Sequence, residues 1–98
     1  MSVKLLIHAP TPEALVRARS NARNLLAAAP DAEVEIVVNA KGVGPALTPA
    51  GDASDGLLVY CANSLKAQGL DQPEGRVVPA AVLYIAERQA EGWAYMRA

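Results

Sequence analysis

Cys61 is the residue of this chain best placed to do chemistry. It follows the apolar run Leu57-Leu58-Val59-Tyr60 and precedes Asn63 to Gln68, a stretch suited to a short helix closed by Gly69. A thiol between a strand end and a helix start meets unpaired backbone N–H groups and the positive end of the helix dipole, which favour its thiolate. Such a thiolate can attack a sulfur atom or carry one. The competing reading is that Cys61 packs as a small apolar side chain, as cysteine often does. It is the only cysteine, so an internal disulfide, a dithiol cycle within one chain and a multi-cysteine zinc site are excluded. His8 ends the first apolar run and is the only histidine, which argues against a His-based metal site; it is a candidate base or hydrogen-bonding residue. Asn39 ends the second run, and Asn63 begins the helix after Cys61. His8, Asn39 and Asn63 are therefore the candidate ligand contacts, with no metal and no cofactor expected.

Other spacings carry less. Gly42-Val43-Gly44-Pro45-Ala46-Leu47 partly matches the dinucleotide fingerprint G-x-G-x-x-G, but Leu47 replaces the third glycine and the segment follows the second strand instead of the first. The match is rejected. Asp52 and Asp55 lack the ligand spacing of a calcium loop and read as solvated carboxylates. Arg17, Lys66 and Arg88 form no basic cluster and read as ordinary helix surface.

The elements that must position these residues follow from periodicity. Val3 to His8 is an almost continuous apolar run, as in a strand covered on both faces. Thr11-Pro12-Glu13 is an N-cap, a first helical residue and a first-turn acid. Leu15, Ala18, Ala22, Leu25 and Leu26 then recur at helical spacing until Pro30-Asp31 stops the helix. Glu33 to Val38 is a second strand. Gly42 to Gly56, with four glycines and two prolines, reads as loop with a helical turn near Ala46-Leu47. Leu57 to Tyr60 is a third strand and Arg76-Val77-Val78 a fourth. Pro79 opens a last helix ending at Gly92, and Trp93 to Met96 alternates as a terminal strand. Strands alternating with helices predict an α/β fold with a mostly parallel sheet and helices on both faces. In that architecture the strand C-termini share one edge, where ligands usually bind; His8, Asn39, Cys61 and the backbone around Pro79 fall there.

Composition sets the bounds. Ninety-eight residues suit one domain, 1–98. Apolar residues make up 52% of the chain, but twenty of them are alanines and there is no Phe, so the core is lean. Nine Lys and Arg against ten Asp and Glu give a net charge of −1, which steers the chain toward neither nucleic acid nor an anionic membrane. No apolar run is long enough to span a bilayer, and no signal peptide is visible at the start of the sequence. A soluble cytoplasmic protein is expected.

Taken in order, Ala22-Arg23-Asn24-Leu25-Leu26, Ala32 to Asn39 with Gly42-Val43, Cys61-Ala62-Asn63-Ser64-Leu65 with Gly69-Leu70, Val78 to Val82, and Gln89 to Tyr95 resemble the small single-domain DsrE/DsrF-like proteins, also called YchN-like, a group that includes the sulfur-relay proteins. The resemblance runs through nearly the whole chain. It implies a three-layer α/β/α domain with a five-stranded, mainly parallel sheet, assembled as homotrimers or hexamers. It also implies a persulfide on a cysteine at the end of the third strand, passed to a partner protein thiol; Cys61 falls at that position. The chain departs from the family at Gly42 to Gly56, where members usually have a longer crossover with a full helix. Two functions follow as expectations: a sulfur carrier acting through Cys61, or a non-catalytic oligomeric module that binds a small ligand or is purely structural, with Cys61 merely packed.

Overall fold

The computed structural model describes residues 2–98. Strands β1 (Lys4–Ala9), β2 (Glu33–Val38), β3 (Leu58–Cys61), β4 (Arg76–Val78) and β5 (Ala94–Arg97) form one sheet in the order β4-β3-β2-β1-β5. All four pairings are parallel, so the expected mainly parallel sheet is parallel throughout. The order dictates the layers. Helices α1 (Pro12–Ala28), α2 (Val43–Ala46) and α3 (Ala62–Ala67) connect strands laid down in one direction across the sheet. Helix α4 (Ala81–Ala90) carries the chain back past β1 to β5. Because parallel crossovers are right-handed, reversing direction moves the connection to the other face. The core divides accordingly. Ile7, Val34, Ile36, Val38 and Leu58 pack with Ala14, Ala18 and Ala22 of α1 on one face. Leu6, Val37, Val59 and Cys61 pack with Ala81 and Trp93 on the face of α4.

Helix α1 begins as its sequence predicts. The Thr11 side chain accepts from the Ala14 N–H at 3.0 Å, and Pro12 occupies the first turn. Its buried alanines bring the helix close to the sheet, which suits a lean core. Helix α3 is closed by Gly69 at φ +66°, with the Leu70 N–H returning to the Leu65 carbonyl at 2.9 Å, the left-handed cap expected there. Helix α4 starts two residues after Pro79, since Ala80 is still extended and acts as the cap.

The stretch between β2 and β3 is more ordered than a loop. It contains a 3-10 turn at Ala40–Gly42, the single turn α2 and a second 3-10 turn at Ala53–Leu57. Gly42 packs against the end of β1, where a Cβ would stand 2.3 Å from the Ala9 carbonyl oxygen; this close approach explains the glycine without a nucleotide. Asp52 and Asp55 are not simply solvated. Asp55 accepts from the N–H groups of Ala50 and Gly51 at 2.9 Å and pairs with Arg19, an arginine 7% exposed that also donates to Ser54 at 2.7 Å. Asp52 caps Ser54 and pairs with Arg23. So short a crossover has few apolar groups to bury, and its backbone N–H groups need acceptors; the two carboxylates supply them.

Arg88 likewise departs from the surface reading. It donates to both oxygens of Glu35 at 2.9 and 3.0 Å and lies over the rings of Tyr84 and Trp93, 5.1 and 4.7 Å from their centroids. Tyr84 and Arg76 donate to the same carboxylate. Burial pushes the Glu35 carboxyl up, but these donors outweigh it and hold the group below its ordinary value. A buried carboxylate in the middle strand requires such partners. Arg17 and Lys66 are exposed, as expected. No helix of the described residues is long and apolar enough to cross a membrane.

Candidate functional site

The parallel sheet gathers the ends of β1, β2 and β3 on one rim. Alternation along β1 puts His8 on the same face as Leu6, and Leu6 packs in the cluster that contains Cys61. Asn39 lies two residues beyond Val37, which belongs to that cluster too. His8, Asn39 and Cys61 thus occupy the rim on the α4 face. Cys61 is the last residue of β3 and directly precedes α3.

The thiol is buried, with the residue only 5% exposed. One hydrogen bond reaches it: the Ala81 N–H, at the start of α4, points to Sγ at 3.4 Å. The Asn63 N–H, at the start of α3, donates to the Pro79 carbonyl at 3.3 Å. Ser64 Oγ accepts from the Ala40 N–H at 2.8 Å, which leaves its own proton free for the sulfur. Burial alone would push the pKa of the thiol up; Ser64 and the backbone N–H groups around the sulfur, that of Ala81 among them, outweigh it and hold the pKa below the ordinary cysteine value. This arrangement eases ionisation of the thiol.

A second set of contacts joins three strands. His8 Nε2 is 2.8 Å from Asn39 Oδ1, and His8 Nδ1 is 2.7 Å from the Tyr95 hydroxyl. An amide oxygen can only accept, so Nε2 carries a proton. Both ring nitrogens are therefore engaged within the protein. Next to Asn39, Ala40 adopts a left-handed backbone at φ 48°, costly for a residue with a Cβ. It is held there by Ser64 at its N–H and by Gln68 Nε2 at its carbonyl, 2.6 Å away.

The structure brings His8 and Asn39 into direct contact. It sets Cys61 beside the start of α3, where Asn63 is exposed, gives its N–H to the Pro79 carbonyl and makes no side-chain hydrogen bond to the sulfur. Sequence reading missed Ser64, Tyr95 and the strained Ala40. Ser64 carried a signal, being the hydroxyl three residues after Cys61 at a helix start. Tyr95 carried none, since its pairing with His8 spans 87 positions. A hollow of about 340 Å³ lies at the opposite edge of the sheet, beside Glu35, Arg76 and Trp93, so Cys61 does not sit at the floor of that space. Among the described residues no group of three or more His, Cys, Asp or Glu side chains comes together to hold a metal.

Fold and rim define a parallel α/β protein with a buried cysteine at a strand end. A solved structure shares this architecture: the protein of unknown function MTH1491 from Methanobacterium thermoautotrophicum, 27% identical, with a TM-score of 0.80 over 99% of this chain and all of that one. No protein-family model matches the chain, and no curated protein does.

Proposed function

We propose that this protein is a sulfur carrier of the DsrE-like kind, holding a persulfide on Cys61 and passing it to the thiol of a partner protein. The observation that carries this reading is the Ala81 N–H aimed at Sγ from 3.4 Å where β3 ends, with Ser64 close enough to help hold the thiol below its ordinary value. A cysteine that only fills space needs no such donor. In the loading step the Cys61 thiolate attacks the outer sulfur of a donor persulfide, R–S–SH. A new S–S bond forms, the donor S–S bond breaks, the outer sulfur keeps its proton and R–S⁻ leaves. Delivery is the same exchange with the partner thiolate as attacker. Such chemistry belongs in a reducing compartment, which is why we assign the protein to the cytoplasm. Assembly into homotrimers or hexamers is part of the proposal. It is supported by Val82 and Leu83, 78% and 54% exposed in the first turn of α4, beside the N–H that reaches Cys61. Sedimentation at the mass of a single chain would end that part of it.

The test is the intact mass of the reduced protein after exposure to a sulfane-sulfur donor. Wild type gains one sulfur atom and Cys61→Ser gains none. Absence of gain on wild type overturns the reading. One observation favours a second function, a non-catalytic oligomeric module: Cys61 is buried among Val37, Val59 and Ala81. That reading expects no sulfur uptake and a thiol that stays slow toward a small alkylating agent.

A further inference from the structure

Resting on the carrier reading, we propose that Asn39 binds the outer sulfur of the Cys61 persulfide through its side-chain NH₂ group, and that His8 and Tyr95 are the positioning residues that present it. The register places Asn39 first. Strand pairs step from Ile36–Leu58 through Val37–Val59 to Val38–Tyr60, and the next step sets Asn39 beside Cys61, about 5 Å across the sheet. His8 lies on the far side of β2, about 10 Å from β3 by the same spacing, with both ring nitrogens occupied. It cannot serve the sulfur itself. What it does is take the Asn39 carbonyl. A planar amide whose oxygen is drawn toward β1 has its NH₂ on the other side, toward β3.

The contact already on Sγ agrees with the assignment. The sulfur accepts from the Ala81 N–H at 3.4 Å and not from Asn39, so the Asn39 N–H groups are left for the atom one bond further out. A persulfide is anionic at neutral pH, and a donor to an anion forms one of the stronger hydrogen bonds. The Asn39–Ala40 junction is also held rigidly enough to aim it, since Ala40 is fixed in its left-handed conformation by Ser64 and Gln68. Tyr95 completes the chain by engaging Nδ1, which fixes the ring plane of His8.

The experiment measures two properties of wild type, Asn39→Leu, Tyr95→Phe, His8→Leu and His8→Gln. The first is the ratio of loaded to unloaded protein in a fixed mixture of glutathione and glutathione persulfide, read by intact mass. The second is the pH titration of the unloaded thiol, followed by thiolate absorbance. Losing one hydrogen bond to an anion lowers the loaded ratio about tenfold in Asn39→Leu. Tyr95→Phe and His8→Leu lower it about threefold to tenfold, while His8→Gln, whose amide still donates to Asn39, restores it. The thiol titration stays at its wild-type position in all four. Tyr95 is 40% exposed, so its phenylalanine variant keeps the test open if the Asn39 variant does not fold. Loaded ratios within about twofold of wild type in Asn39→Leu and Tyr95→Phe overturn the assignment and leave the carrier reading standing. A titration that moves in step with the ratio overturns it too, because the residue would then act on Sγ. A wild type that takes up no sulfur removes both readings.

Discussion

Replacing Arg88 by methionine tests whether the α4 face is held by electrostatics or only covered by a helix. Arg88 supplies two hydrogen bonds to the buried carboxylate of Glu35, at 2.9 and 3.0 Å, and rests on two aromatic rings. Bonds of this kind contribute about 1.5–3 kcal/mol each, and breaking a buried ion pair costs about 3–5 kcal/mol. Two features reduce that cost. Arg76 and Tyr84 remain on the carboxylate, and the methionine side chain keeps contact with the rings. The expected loss is about 2–3 kcal/mol, or about 10–20 °C in Tm for a domain of this length. Urea denaturation at pH 7 measures it. The sign of the pH dependence is set by the depressed Glu35 value. A carboxylate stabilised in the folded state contributes fully above the ordinary carboxylate range and loses that contribution as pH falls through its folded value. Without Arg88 that value rises, so the gap between wild type and variant is widest at neutral pH and closes on acidification. A loss below about 0.5 kcal/mol, as for an unremarkable surface arginine, or a gap that widens in acid, refutes the reasoning.

Two further outcomes follow from single contacts. Gly42→Ala forces a methyl against the Ala9 carbonyl and is expected to cost about 1–3 kcal/mol, read by thermal unfolding; a neutral result would mean that this end of β1 yields freely. Ser64→Ala removes the hydroxyl that helps hold the Cys61 pKa down, so thiolate absorbance develops at higher pH than in wild type, while Ser64→Thr keeps it near the wild-type position. Equal titrations in all three proteins would show that the backbone donors alone hold the thiolate.

Local signals made most of the fold legible. Thr11-Pro12, the largely apolar run of Glu33 to Val38 and the left-handed Gly69 are each settled within a few residues, and the expected elements stand within one or two positions of the observed ones. Cys61, His8 and Asn39 were placed at the rim because parallel strands end on one side, an argument from topology. What escaped reading are the partnerships between distant polar residues. Arg88 looks like any helix arginine until β2 brings Glu35 beneath it, 53 positions away. Asp55 looks solvated until α1 brings Arg19 against it. Periodicity reports which face a residue occupies and is silent on which charge meets it there.

The last strand to be made lies beside the first, and the hydrogen bond between His8 and Tyr95 ties residues 87 positions apart. The order of synthesis therefore differs from the order of completion. A growing chain can lay down β1, β2 and β3 and thereby expose a cysteine at a raw edge, with the α4 face still open and no N–H of Ala81 to cover the sulfur. Helix α4 and β5 finish the face, bring the Ala81 N–H to the sulfur and set Tyr95 against His8. Pairings of such long range form late, because loop closure must precede them. The setting of the thiol is thus a property of the finished molecule: an incompletely folded copy carries the same cysteine without the contacts that surround it.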